Sequence, residues 1–354
     1  MTQKNISLLP NGLTDLLPAM AEKESYLITQ LMGAFSKFGY RRVKPPLVEF
    51  EETLLAKGPG QSLAHKTFRI MDPLSGRMMG VRADTTAQIS RIAQSRLKEE
   101  ARPLRLSYAA DVLKVNGSQL RPERQFCQVG CEMIGVESAQ DDVELCLNAL
   151  YGLHSIGVKN LTIDLALPAL VDGIYSAFDC DEATRLECNN LLQKRDLDGL
   201  KEIQSEMSNI LMDLLRASGE ACAVMESLAD IKLPQTAQAQ IQHLKEMYQE
   251  LIAAFDAYGL SDIQITIDLI ERSGFDYQNG LSFTLFSKEA RAELGRGGRY
   301  GMEDENAAGF TLYMDSLMAV AQDRPSMGTE TLQGKSWSEI KKLQDDGKAV
   351  IRKN

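Results

Sequence analysis

One stretch constrains this chain more than any other: Arg121-Pro-Glu-Arg-Gln-Phe-Cys-Gln-Val-Gly-Cys-Glu132. As a strand it places Phe126, Gln128, Gly130 and Glu132 on one face, so two polar side chains flank a glycine with no side chain. At about 3.3 Å per residue, Gln128 and Glu132 lie roughly 13 Å apart at the backbone, and their side chains can converge over Gly130 on a metabolite-sized ligand. An inward-facing carboxylate is costly unless partnered, so Glu132 calls for a cationic or donor-rich group such as an ammonium or an imidazole. The alternative reading is an edge strand whose polar residues are solvated.

At 354 residues the chain is long enough to bury a full core and is expected to hold one large domain plus a smaller one. No window approaches 18 uninterrupted apolar residues, and the amino-terminal segment lacks the apolar core of a secretory signal. A cytoplasmic protein with no membrane association is expected. The six cysteines form no C-x-x-C pair, and the three histidines, His65, His154 and His243, are far apart, so neither a metal site nor a disulfide framework is suggested. No cofactor is implied. A formal charge of −10 opposes a large phosphate-neutralising surface. Local basic patches, for instance around Arg121 and Arg124, remain open, but protein or small-molecule partners are favoured.

Apolar spacing predicts a helix over residues 19–38, with Leu27, Leu31, Phe35 and Phe38 on one side and Gly39 as the stop. Thr67–Met71 and Met78–Arg82 flank Asp72-Pro-Leu-Ser-Gly76 and read as a hairpin. Helices are expected over 84–98 and 141–156, and strands over 104–115, 124–134 and 161–165. From about Leu167 to Tyr258 the pattern is almost purely amphipathic helix, with caps expected at Asp181, Asp196 and Thr236. Strand alternation resumes at Ile263–Leu269, and Asn279-Gly280 before Leu281–Phe286 is a strong hairpin signal. This is an α+β organisation: a mixed, mainly antiparallel sheet flanked by helices, in two parts (1–166 and 260–322) around a helical insertion (167–259). A short tail (323–354) follows, with an amphipathic turn or two around Trp337–Leu343.

The loop Gly295-Arg-Gly-Gly-Arg-Tyr-Gly301 is not a dinucleotide loop, because Tyr300 stands where glycine is needed, and no G-K-S/T follows for a P-loop. Its glycines let backbone approach a ligand or another strand, and Tyr300 offers a ring and a hydroxyl. A neutral turn and a ligand-facing loop are both compatible with it.

Together these segments resemble the catalytic core of histidyl-tRNA synthetase, a class II aminoacyl-tRNA synthetase fold, from about Asn11 to Met318. Gly12–Pro18 is similar to the family's amino-terminal signature, and Tyr40–Phe50 with Pro45-Pro46 to motif 1, the dimerisation motif. Val81-Arg-Ala-Asp-Thr-Thr-Ala87 resembles the R-P-E-G-T-A loop, Gln125–Gly135 the Q-F-H-Q-x-G-C-E-x-x-G segment, and Gly297-Gly-Arg-Tyr300 a histidine-specific loop. The resemblance implies that Asp84, Gln128, Glu132, Tyr277 and Tyr300 contact bound histidine.

The departures are as informative. Motif 2's F-R-x-E becomes Leu113-Lys-Val-Asn116, so its ATP-gripping arginine is Lys114 and its glutamate Asn116. The family's catalytic arginine falls on Ser273 when Asp276-Tyr277 anchors the alignment, and the neighbouring Arg272 would point to the opposite face of a strand. Motif 3's G-L-E-R-L becomes Tyr313-Met-Asp-Ser-Leu317, putting Ser316 in place of an ATP-binding arginine and a bulky tyrosine in place of glycine. Arginine supplies a bidentate fork that serine lacks and lysine only partly replaces. Loss of one preorganised charge stabiliser typically costs about 3 kcal/mol in the transition state. Only some thirty residues follow motif 3, where the synthetases carry an anticodon-binding domain, so no tRNA contact is expected.

This combination resembles the ATP phosphoribosyltransferase regulatory subunits, synthetase paralogues that partner a short-form catalytic subunit in histidine biosynthesis. What the resemblance implies is a non-catalytic activator that conveys feedback inhibition by histidine, as a homodimer within a hetero-octamer. The alternatives are an active histidyl-tRNA synthetase and a ligase charging another carrier. Both need ATP. Purified protein is therefore expected to show no histidine-dependent exchange between ATP and pyrophosphate; exchange at a synthetase-like rate restores an enzymatic reading.

Overall fold

In the computed structural model the described residues are 8–56, 59–118, 121–271, 278–302, 304–325, 328–333 and 336–353. Helix α1 (Pro18–Lys37) starts on a proline, whose missing N–H costs nothing at that position, and buries Leu27, Leu31, Ala34 and Phe35. It ends before Gly39, whose φ of 80° no β-branched residue tolerates well. After β1 (Arg41–Arg42), β2 (Val48–Phe50) and α2 (Glu51–Leu54), the expected hairpin forms from β3 (Phe68–Met71) and β4 (Met78–Val81). Asp72 closes its turn by accepting from the backbone N–H groups of Leu74 and Ser75. These strands make a small antiparallel sheet in the order β2-β4-β3.

Next come α3 (Thr86–Ser95), β5 (Leu104–Leu113), β6 (Gln125–Ile134), α4 (Ala139–Ser155) and β7 (Leu161–Ala166). A reciprocal capping box between Ser138 and Asp141 starts α4. The helical stretch comprises α5 (Pro168–Ala177), α6 (Glu182–Gln193), α7 (Leu197–Glu202), α8 (Glu206–Arg216), α9 (Ala221–Ser227) and α10 (Gln235–Tyr258), with the short strand β8 (Gly219–Glu220) between α8 and α9. Asp181 and Asp196 cap α6 and α7 as expected. Thr236 does not cap: α10 begins after Pro234, and the Thr236 hydroxyl donates to the Gly173 carbonyl of α5 instead. The stretch shares one apolar core with the sheet, since Leu170, Leu211, Leu244 and Phe255 cluster with Phe35, Val129 and Leu153.

The chain returns through β9 (Gln264–Ile267), β10 (Gln278–Ser287), β11 (Gly295–Gly301), β12 (Asn306–Tyr313) and α11 (Met314–Val320). Among the described residues the main sheet has nine strands in the order β1-β5-β6-β12-β11-β10-β7-β9-β8. Its pairs are antiparallel except β1 with β5 and β7 with β9. Asn279-Gly280 is not a turn: β10 runs through it, and a register irregularity against β11 falls between Gln278 and Ser282. The reversal between β10 and β11 lies after Ser287, so the Asn-Gly pair marks the irregularity rather than a hairpin. A second compact unit begins at Gln322. Within it, β13 (Thr329–Gln333), α12 (Trp337–Asp345) and β14 (Ala349–Lys353) form a parallel β-α-β unit, more ordered than the expected turn or two.

Strand β6 is central, between β5 and β12, which removes the edge-strand alternative. Cys127, Val129, Cys131 and Met133 point into the main core. The opposite face carries Phe126, Gln128, Gly130 and Glu132, with Tyr108 beside Gly130 on β5 and Thr311 beside it on β12. There is no room above Gly130: an added Cβ would lie 2.2 Å from the Phe310 carbonyl oxygen and 2.6 Å from the Tyr108 hydroxyl. Gly130→Ala is expected to destabilise the protein by about 1–3 kcal/mol or more. Urea unfolding measures it, and an unchanged midpoint contradicts the packing described.

Candidate ligand site

The site is built where the loop after β4 meets the polar face of β6. Arg82, buried at 7% exposure, pins that loop by donating to the carbonyl oxygens of Asp111 (2.5 Å), Pro45 (3.1 Å) and Pro46 (3.3 Å). Gln88 of α3 ties to Pro46 and to Glu49, and Glu49 holds Arg91 through both carboxylate oxygens. The guanidinium and amide thus satisfy carbonyls of the Pro45-Pro46 turn, which has few N–H donors of its own. This fixes Asp84, Thr85 and Thr86 against the sheet.

Four residues expected from the sequence converge. The Gln128 amide donates to Asp84 Oδ2 (2.9 Å), while its oxygen accepts from the Thr85 backbone N–H and hydroxyl, each at 3.1 Å. Asp84 Oδ1 accepts from the Thr86 N–H (2.9 Å). Glu132, 1% exposed, accepts from the Thr86 hydroxyl (2.9 Å) and from the Tyr300 hydroxyl (2.8 Å). Tyr300 reaches it from β11, two strands away. The Glu132 carboxyl requires Gly309 directly opposite it on β12, since a Cβ there would come within 1.8 Å of Oε2. Tyr277 lies outside the described residues, as does Ser273.

Burial dominates the electrostatics of this pocket. It pushes the Glu132 carboxyl up to about 8, against the pull of the Tyr300 and Thr86 hydroxyls and with a further push from Asp84. Burial thus favours the protonated, donor-capable form of Glu132, which stands beside a partly exposed Asp84. Tyr108, fully buried, shares a hydrogen bond with Thr311 (2.7 Å) and completes the floor.

On the other side of Gln128 stand the positions where the motifs depart. Lys114 follows β5 with its ammonium 5.0 Å from the centre of the Phe126 ring. Asn116 is exposed. Ser316, on α11, accepts a hydrogen bond from Arg121 (3.0 Å). Arg121 is no surface patch: it is 11% exposed, bonds Asp315 (2.6 Å), lies 3.7 Å from Glu293, and stacks 3.9 Å over the Tyr313 ring. Tyr313 packs edge-on to Phe126 at 6.1 Å, and burial pushes its hydroxyl to about 12. Arg121 and Tyr313 thus fill the space beside Ser316. Arg124 is also occupied, donating to the Lys114 and Asn11 carbonyls.

Sequence reasoning missed Thr85, Thr86, Tyr108, Thr311 and the inward course of Arg121. The two threonines lay inside a segment already singled out, and their position at the start of an expected helix is the signal that could have found them. The inward course of Arg121 is set by guanidinium hydrogen bonds to residues 172 to 195 positions away, which no local pattern marks.

The family model for histidyl-tRNA synthetase matches residues 12–317. An ATP phosphoribosyltransferase regulatory subunit from Rhodospirillum centenum is 44% identical over 346 residues, covering 97% of this chain and 88% of that protein. Among solved structures, an ATP phosphoribosyltransferase regulatory subunit/histidyl-tRNA synthetase from Bacillus halodurans C superimposes with a TM-score of 0.83 at 21% identity, covering 100% of this chain and 94% of the other. A chain of an ATP phosphoribosyl transferase complex from Thermotoga maritima does so with a TM-score of 0.62 at 15% identity, covering 82% and 97%. These structures share the class II synthetase fold. The chain belongs to the family of ATP phosphoribosyltransferase regulatory subunits, non-catalytic paralogues of histidyl-tRNA synthetase.

Proposed function

We propose that this regulatory subunit is the histidine sensor of its complex: it binds histidine in the pocket over β6 and conveys feedback inhibition to a short-form ATP phosphoribosyltransferase catalytic subunit. The observation that carries this reading is the pair of hydrogen-bonded couples on one face of β6, Gln128 with Asp84 and Glu132 with Tyr300, while Ser316 and Asn116 offer no cation for a triphosphate. Histidine's ammonium lies against Asp84 and Gln128, and its imidazole against Glu132 and Tyr300, with Tyr277 closing over it by resemblance. Occupancy shifts the balance between subunit arrangements only to the extent that histidine binds one of them more tightly. The subunit works in the cytoplasm as a homodimer within a hetero-octamer, without tRNA.

Two measurements test this. Co-purification with a short-form catalytic subunit is expected to give a complex whose activity histidine inhibits, and Glu132→Ala is expected to remove that inhibition. Inhibition that survives the substitution unchanged excludes this pocket as the sensor.

The pH dependence follows from the Glu132 carboxyl. A bound imidazole and Glu132 share one proton. Below the ordinary imidazole value of about 6.5, free histidine and Glu132 each carry one, and binding must expel a proton. Above the Glu132 value of about 8 the empty site has lost its proton, and binding must take one up. Affinity measured by calorimetry is expected to be greatest between these limits and to fall on both sides, and Glu132→Gln should flatten the alkaline limb. A wild-type affinity that keeps rising through pH 9 contradicts the assignment.

A further inference from the structure

The segment joining β5 to β6 is built to send Arg121 inward. Gly117 runs so close to the returning chain that an added Cβ would lie 2.4 Å from the Pro122 carbonyl oxygen and 2.9 Å from that of Arg121. The Ser118 N–H donates to the Arg121 carbonyl (2.7 Å), and the Arg121 N–H donates to the Ser118 hydroxyl (3.0 Å), so the backbone at Arg121 is closed into a turn. From that turn the guanidinium crosses to α11 and to the β10–β11 connection. Its Nε donates to Asp315 (2.6 Å), and one terminal nitrogen donates both to the Ser316 hydroxyl (3.0 Å) and to the Glu293 carbonyl (3.1 Å).

The same guanidinium stands 3.9 Å from the centre of the Tyr313 ring and 5.5 Å from that of Phe126, two rings that meet edge-on at 6.1 Å. A planar cation over a ring takes up the aromatic face that a purine would otherwise stack on. Tyr313 is paired with Gln128 in the β6–β12 register, so this stack stands next to the polar face of β6. Arg121 is 11% exposed, and two carboxylates depend on it: Asp315, and Glu293 at 3.7 Å. Evicting it would take that cation from both, a cost that holds it in place. Losing charges and losing a slot are separable. The serine at 316 and the asparagine at 116 remove groups that could stabilise a departing pyrophosphate, but neither closes a surface on which a base could stack. An occupant does.

We infer that Arg121 is the built-in occupant of this half of the cleft: its guanidinium takes the aromatic face and the polar contacts that the base of a nucleoside would need. Nucleoside binding, and not only nucleotide chemistry, is thereby excluded by a residue of the chain itself. The assignment concerns the space beside Ser316 and does not depend on which ligand the Glu132 pocket takes.

Adenosine is the probe, because it carries a base without the phosphates for which the cleft is short of cations, and it is titrated calorimetrically into the full chain, with ATP alongside. Wild type is expected to give no binding heat with either at millimolar concentration. Arg121→Ala combined with Asp315→Ala, which removes the stranded carboxylate together with its partner, is expected to bind adenosine at least about tenfold more tightly than the wild-type limit, the range of one base stacked on an aromatic ring. Arg121→Lys keeps the charge and so protects the fold, but gives up the planar fork, and is expected to show part of that gain. Thermal unfolding checks that each protein titrated is folded. Adenosine or ATP bound by wild type overturns the assignment, and so does the failure of every folded variant to bind adenosine more tightly than wild type.

Discussion

Burying the Glu132 carboxyl in the middle of a nine-stranded sheet is the constraint around which the rest of the site is arranged. A carboxyl removed from water must either find donors or hold its proton, and here it does both. Thr86 and Tyr300 supply the donors, and the raised pKa supplies the proton. Space is made by glycines: Gly309 facing Glu132 across the β6–β12 pair, and Gly130 beneath the crossing of Tyr108 and the Phe310 carbonyl. The Arg82 anchor matters for the same reason, because Thr86 can donate to Glu132 only if the loop before α3 is held down on the sheet.

The two halves of the cleft differ in how their charges are balanced. On the Glu132 side, polar groups are hydrogen-bonded to one another, Gln128 with Asp84 and Glu132 with Tyr300 and Thr86. On the Ser316 side, Arg121 comes in from the β5–β6 connection and meets Asp315, Glu293 and the Tyr313 ring, so the guanidinium is satisfied within the protein. Activating an amino acid needs cations directed at a departing pyrophosphate. Regulation needs only a binding equilibrium that differs between two states of an assembly. The absence of an arginine at Lys114 and Ser316, and the pairing of Arg121 within the protein, suit the second requirement better than the first.

The pattern of the sequence was sufficient wherever structure depends on periodicity or on a cap a few residues away. Helix α1, the β3–β4 hairpin, the alternation of β6 and the caps at Asp181 and Asp196 all follow from such local rules. It failed where a distant element competes for the same group. Thr236 has the chemistry of a cap, but the Gly173 carbonyl of α5 takes its hydroxyl. Asn279-Gly280 has the chemistry of a tight turn, but pairing with β11 on both sides draws it into a strand. Arg121 reads as surface charge until α11 and the end of the β10–β11 connection supply its partners.

By itself, then, the sequence determined that Gln128 and Glu132 share a face with a glycine between them, because side chains alternate along any strand. It also determined, through the serine and asparagine standing at key positions, that the phosphate side lacks arginine's fork. Tertiary structure alone decided that β6 is central rather than at an edge, and that Tyr300 and Thr86 meet at one carboxyl, each on a different oxygen. Those are relations between residues up to 210 positions apart, such as Ser90 and Tyr300, and only the register and order of strands in the sheet bring them within reach.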